Sequence, residues 1–507
     1  MGSQERTKHL GSPYLVASLV LLSAGLIFSY FLYANYALQK EMAIEYEGPC
    51  LWAASRIFHG QNPYPLESLS ESPFAVIIYP PLYFLATAPL MFFSEGYRLS
   101  RLFSLLTALG SALFYYLFLR RMKLSKLSAM TGSALFMSFM AVWLWAAKAR
   151  VDELSLCLTI ISLYFFAGWK RKSNLALSAV TLSLATMTKQ PSALFAPSYC
   201  LFLLLQNNWK ALAIMAGTFT LSLAAQIGIC QLATAGGFIA HMRFASHMPF
   251  QWQYLIDRLA LMLGDLPKFA MAFFSLSFLS PLIAKQDKEK STSLVLAALL
   301  LITSLPVTLY TAGTEYSNVN HFLIALIPLP LFIALALDWS IESAGKSAGL
   351  GGKLYKIATA CTNVISALIL SFLAYSQFNP AKLSDKPHLD KPMSLESFRG
   401  LVAGKSILAE DGGYGVLFGA ESEPVDITTF IQVLGRDGKQ AEQMTEKLNQ
   451  CQYAAVVMNH KELDGTRNAM QWSAKLKAAL QENYRFAGQI NGNGECQDVF
   501  LPARSMR

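Results

Sequence analysis

The chain has 507 residues, of which 54% are hydrophobic and only 14% charged, and its mean hydropathy is +0.37. That balance excludes an ordinary soluble globular protein, because apolar runs of membrane-spanning length recur throughout. The net charge of +9 does not point to nucleic acid, since Lys and Arg sit in short clusters between the apolar runs, as in a multi-pass membrane protein.

A polar N-terminus, Met1 to Pro13, precedes an apolar run too long for a signal-peptide core and followed by no clear cleavage site, so a retained first helix is expected. Spanning segments are expected at about 14–37, 99–119, 128–147, 154–169, 174–188, 191–207, 211–231, 267–284, 292–310, 319–338 and 356–376. One further run, "VIIYPPLYFLATAPLMFF" (76–93), carries Pro80, Pro81 and Pro89, each of which removes a backbone donor that lipid cannot replace. If 76–93 stays out of the bilayer, the clusters Arg120 to Lys126, Lys170 to Lys172, Lys285 to Lys290 and Lys346 to Lys356 all face the cytoplasm. If it spans, they flip outward, against the positive-inside rule. The expectation is therefore an all-α polytopic protein of about eleven spanning helices plus juxtamembrane helices. Its N-terminus lies inside and its C-terminus outside.

This topology gathers polar residues on the outer side. The first outer loop, 38–98, holds Glu45 and Glu47 before an amphipathic stretch, Leu51 to Phe58, that ends at Gly60. "GQNPYP", with Tyr64, reads as a turn. Carboxylates beside a lipid surface suit proton abstraction from a hydroxyl, although composition alone favours plain solvated loop acids. Further along, "ARVDELSL" sets Arg150, Asp152 and Glu153 at the start of an apolar run, where charge is costly and therefore suggests function. Lys189 of "ATMTKQPSALFA" and the stretch "GTEYSNVNHF" (313–322) fall on the same side. Arg98 and Arg101 either snorkel at a helix end or face a ligand, and Arg150 with Asp152 could be only a structural ion pair. Asn320 and His321 cap a helix or touch a substrate. His241 and His247 have no third ligand nearby, so no metal site is expected.

After a Pro- and Lys-rich linker (377–394), residues 395–507 lose the membrane composition. "KSILAED", "YAAVVMN", "RFAGQI" and "QDVFLP" read as strands, and 437–450 and 466–483 as helices, which suggests a small extracytoplasmic α/β domain. Outer placement would permit a Cys451–Cys496 disulfide. The Gly-rich "EDGGYGVLFG" lacks a phosphate-loop pattern and reads as a turn.

The segments "EYEGPCLWAASRIFHGQNPY", "YPPLYFLATAPL", "YRLSRLFSLL", "ARVDELSL", "ATMTKQPSALFA" and "GTEYSNVNHFLIALIPL" follow a first helix in that order. Over about residues 10–340 the chain resembles the GT-C class of membrane glycosyltransferases, near family 39, the protein mannosyltransferases and the aminoarabinose transferases. The resemblance implies a helical bundle whose 1–376 membrane domain carries a catalytic acid in the first outer loop and a second acid at the outer start of a later helix. It implies transfer of a sugar from a polyprenyl-phosphate donor to an acceptor hydroxyl, usually with inversion. Glu47, or failing it Glu45, matches the loop acid, where relatives often have Asp. Asp152 matches the second acid, with Arg150 beside it, and Lys189 matches a basic residue of the family. Arg98, Arg101, Arg150 and Lys189 are then candidates to hold the lipid phosphate, and Tyr64, Asn320 and His321 to contact substrate.

Expected partners are the polyprenyl-phosphate-linked sugar, a glycan, lipid or protein acceptor, and membrane lipids of a bacterial inner membrane, with no nucleic acid. No cofactor is expected, and a divalent metal is left open. The competing reading is a transporter or flippase of lipid-linked glycans. It predicts internal repeats and charges at mid-membrane, whereas no repeat is visible and the charges cluster at one face.

Overall fold

The computed structural model describes residues 13–44, 46–244, 249–276, 288–314, 317–344, 389–425, 430, 438–460, 472–492 and 495–503. Glu45, His247, the expected helix 356–376 and most of the linker lie outside the described residues. In chain order the helices are α1 (Pro13–Gln39), α2 (Gly48–Phe58), α3 (Leu82–Thr87), α4 (Tyr97–Arg121), α5 (Lys126–Met137), α6 (Met140–Trp145), α7 (Val151–Phe166) and α8 (Lys172–Thr186). They continue with α9 (Phe195–Leu205), α10 (Trp209–Ala233), α11 (Gly237–Phe244), α12 (Trp252–Leu261), α13 (Leu266–Phe274), α14 (Lys288–Ala312), α15 (Leu323–Leu326) and α16 (Leu329–Ala344).

Among the described residues five helical stretches are long and apolar enough to cross a membrane: Val16–Gln39, Tyr97–Arg121, Trp209–Ala233, Glu289–Ala312 and Val319–Trp339. Other expected spans are shorter or broken. The run 128–147 is not one helix: it breaks at Ser138, where Lys268 Nζ donates to the Ser138 carbonyl at 2.5 Å and the Met140 amide donates to Asp265 Oδ2 at 3.0 Å. That buried Lys268–Asp265 pair satisfies the backbone groups a broken helix exposes. The run 319–338 is interrupted near Pro328 and Pro330, and 191–207 opens as a 3-10 turn, Gln190–Leu194, with Pro191 near its start. The Pro-rich 76–93 forms only α3 and a 3-10 turn, Ala88–Phe92, an apolar helical stretch of Leu82–Phe92 too short to span. Phe92 and Phe93 at its end are 78% and 77% exposed, as residues facing lipid would be.

The core is a continuous cluster drawn mainly from α4, α5, α7, α8, α9 and α16, with Tyr115 stacked on Phe136 and Phe166 on Tyr199. Beyond the bundle, α17 (Leu395–Val402), β1 (Ser406–Ala409), α18 (Gly413–Phe418), β2 (Glu421–Glu423), α19 (Lys439–Asn449), β3 (Ala455–Asn459), α20 (Ala474–Asn483), β4 (Tyr484–Gly492) and β5 (Glu495–Pro502) build a mixed sheet. Its order is β2-β1-β3-β5-β4, with β2, β1 and β3 parallel and β5 and β4 antiparallel.

The expected Cys451–Cys496 disulfide is absent: both thiols are free. The Cys451 thiol points to the Asn483 carbonyl, just before β4, while Cys496 pairs with Asn491 near the other end of that strand. Eight residues of strand separate the two places, about 26 Å, far beyond disulfide reach.

Candidate active site

Three interruptions of helical structure bring the site together. Arg150 stands in extended conformation as the N-cap of α7, so Asp152 falls in the first helical turn, where the helix dipole favours a carboxylate. Lys189 is the extended residue before the 3-10 turn that follows α8. Asn320 lies in another 3-10 turn, Val319–Phe322, whose N-cap Asn318 accepts from the Val319 amide. The side chains meet on Asp152: Lys189 Nζ lies 2.5 Å from Oδ1, Asn320 Nδ2 donates to Oδ1 at 2.8 Å, and Arg150 Nε lies 3.3 Å from Oδ2. Asp152 thus holds two cations and a side-chain amide on its two oxygens. A small cavity beside them is lined by Asp152, Lys189, Ser192, Asn320 and His321, among others. His321 Nδ1 is buried without a hydrogen-bond partner among the described residues. Glu153, one step round the helix, does not line that cavity; it is fully buried, and neither carboxyl oxygen has a hydrogen-bond partner among the described residues.

Arg150 is fixed from the first outer loop. Its Nη1 donates to the Tyr46 carbonyl at 2.9 Å and its Nη2 to the Tyr79 hydroxyl at 2.7 Å. Tyr64 is fully buried and donates its hydroxyl to the Tyr79 carbonyl at 2.7 Å, so it supports the loop and does not line the cavity. His241 is a brace of the same kind: Nδ1 accepts from the Ile77 amide and Nε2 donates to the Pro65 carbonyl. Among the described residues no cluster of His, Cys, Asp and Glu could hold a metal ion.

Glu47 is placed differently from a base awaiting substrate. Its side chain has no exposed surface. Oε1 accepts from Arg101 Nε at 3.0 Å and from the Ala149 amide at 2.6 Å. Oε2 accepts from Arg101 Nη2 at 2.5 Å and from the Ile44 amide at 2.7 Å. A carboxylate offers about four such positions, and all are taken. Burial alone would raise its pKa, but the Arg101 charge and hydrogen bonds and the two amides outweigh it and hold the pKa below the ordinary carboxylate value. Arg101 spends its remaining donors on the Ala37, Lys40 and Met42 carbonyls. Arg98 is exposed and donates to the Leu38 carbonyl at the end of α1.

The structure thus gathers Asp152, Arg150, Lys189, Asn320 and His321, all but Arg150 lining the cavity, and sets Glu47 with Arg101, Arg98 and Tyr64 outside it. Tyr79 escaped the sequence reading. It sits in the quoted "YPPLYF", but nothing in its type or spacing shows that its hydroxyl meets Arg150.

Residues 77–303 match the family model described as glycosyltransferase family 87. No curated protein matches the chain. Among solved structures, ArnT from Cupriavidus metallidurans bound to undecaprenyl phosphate matches with a TM-score of 0.60 at 11% identity, over 96% of this chain and 98% of that one. The Archaeoglobus fulgidus oligosaccharyltransferase, tethered by a disulfide to an acceptor peptide containing the NVT sequon, matches with a TM-score of 0.54 at 11% identity, over 94% of this chain and 74% of that one. At such identities the likeness is one of fold. The family match and the shared fold indicate a membrane glycosyltransferase of the GT-C fold. The class expected from the motifs is the class found, and the family model that matches is 87.

Proposed function

We propose that the protein transfers a sugar from a polyprenyl-phosphate-linked donor to an acceptor hydroxyl at the outer face of a bacterial inner membrane. The observation that carries this reading is a pair of cations beside a cavity: Arg150 and Lys189 both reach the Asp152 carboxylate, and Lys189 and Asp152 line the cavity. An arginine fork with a lysine suits a lipid phosphate. The bound undecaprenyl phosphate of the ArnT structure supports a donor of that kind. Eleven crossings, with N-terminus inside and the sheet domain outside, put this cluster at the outer boundary.

The chemistry follows from competition for the two cations. A donor phosphate draws Arg150 and Lys189 toward itself and leaves an Asp152 oxygen open to the acceptor. The acceptor oxygen then attacks the anomeric carbon, the bond to the phosphate oxygen breaks with its electron pair, and the hydroxyl proton passes to Asp152, inverting the anomeric centre. Asp152, which reaches the cavity, takes the base role in place of Glu47, which does not. Asn320 orients the carboxylate, and no metal is needed for these steps. The test compares envelope glycans of a deletion strain with those of the strain complemented by the wild-type gene or by Asp152→Asn. A glycan profile indifferent to deletion refutes the proposal.

A further inference from the structure

The sheet domain docks on the first outer loop at two polar places. At one, Glu423 accepts from the Ser72 hydroxyl at 2.6 Å and pairs with Lys447 at 2.8 Å, and the Val425 amide donates to the Phe74 carbonyl. At the other, Asp411 of "EDGGYG" accepts from the Gly48 amide at 3.3 Å, the Tyr97 hydroxyl at 3.1 Å and its own loop's Gly413 amide at 2.9 Å. The approach demands glycine on both sides. A Cβ on Gly48 would overlap the Asp411 carboxylate, and one on Gly413 would overlap the Tyr97 hydroxyl. The Gly-rich stretch is more than a turn; its missing side chains let two parts of the chain close on each other.

Only the second place lies in line with the site. Gly48 opens α2, whose N-cap is Glu47. Tyr97 lies one turn before Arg101 on α4, and the Arg101 guanidinium sits 4.9 Å from the Tyr97 ring centre. Glu47 then accepts the Ala149 amide at 2.6 Å, and the next residue is Arg150. Arg150 returns a hydrogen bond to the Tyr46 carbonyl. Tyr46 holds φ at +45°, a left-handed conformation that bulky residues adopt only when their surroundings enforce it.

We propose that Asp411 is a positioning residue for the phosphate-binding cations. By pinning Gly48 and Tyr97 it holds Tyr46 and Glu47, and through them the orientation of Arg150. This rests on the donor reading given above, and the experiment separates the two. The full chain in lipid nanodiscs is titrated with undecaprenyl phosphate as the probe, and the melting temperature is recorded beside each Kd. Asp411→Ala raises Kd about tenfold, within the usual range of coupling between sites. Tyr97→Phe, which removes one hydroxyl, shifts Kd the same way by less, and Asp411→Asn, which keeps one acceptor oxygen, recovers most of the affinity. Lys447→Ala, at the other docking place, lowers the melting temperature and leaves Kd unchanged.

A merely structural Asp411 would behave like Lys447, with a lower melting temperature and wild-type Kd, and that result overturns the proposal. If Asp411→Ala does not fold, a wild-type Kd in Tyr97→Phe overturns it equally. Wild-type protein that binds no undecaprenyl phosphate overturns the donor reading itself, and this proposal with it.

Discussion

Replacing Glu47 by Gln distinguishes a buried latch from a catalytic base. The Glu47 carboxylate receives four hydrogen bonds, two from Arg101 and two from backbone amides. Gln offers one carbonyl oxygen in place of two carboxylate oxygens, and its amide nitrogen turns a donor toward groups that are themselves donors. Two of the four bonds are lost. With a charged partner each is worth roughly 1.5–3 kcal/mol, which agrees with the about 3–5 kcal/mol typical of breaking a buried ion pair. Thermal unfolding of the variant in nanodiscs should show that loss at neutral pH. Because the folded pKa lies below the ordinary 4.5, the stabilisation is present above that value. It disappears as pH falls through the folded pKa, so wild type and variant converge in acid. Combining Glu47→Gln with Arg101→Met should cost less than the sum of the single losses, since each removes the same pair. A Glu47→Gln protein that melts like wild type but loses about 100- to 10,000-fold in turnover would restore the base reading and refute the latch.

Asp152→Asn should lower transfer by about 100- to 10,000-fold in a membrane transfer assay while undecaprenyl phosphate still binds; normal turnover removes Asp152 as the base. Lys189→Ala and Arg150→Ala should each weaken undecaprenyl phosphate binding, by titration, without loss of expression, and unchanged Kd values in both would place the phosphate elsewhere. Cysteine labelling of intact cells on a Cys-free background should reach Lys439→Cys and not Glu289→Cys, two positions whose side chains are exposed; the reverse pattern sinks the proposed orientation.

Much of the bundle was legible because long apolar runs and basic clusters are strong signals, and the strands near 406, 455, 484 and 495 were legible from their β-branched and aromatic content. Strand β2 was not: Glu421–Glu423 is a three-residue edge strand of sequence ESE, with no apolar alternation to betray it. At the site, the charges of "ARVDEL" stood out because they interrupt an apolar run. Their division of labour did not, since whether Asp152 or Glu153 turns toward the cavity depends on where α7 begins. The burial of Glu47 was hidden for a similar reason. A loop acid followed by a helix reads as exposed, and its partner Arg101 lies 54 residues away, at a distance no local pattern reports. Asp411 was hidden in the same way, because its significance lies in Tyr97 and Gly48 on the far side of the chain.

The shortness of α7 and α8 bears on how lipid meets enzyme. Helices of 16 and 15 residues rise only about 24 and 22 Å, against a hydrocarbon core of about 30 Å. Of the two, α8 carries exposed apolar side chains, Leu177 and Val180, and a bilayer bordering so short a helix would thin to match it. On the proposed donor reading, such thinning would lower the headgroup plane toward the N-terminal end of α7, where Arg150 and Asp152 stand, and would shorten the path of an isoprenoid phosphate to the cations.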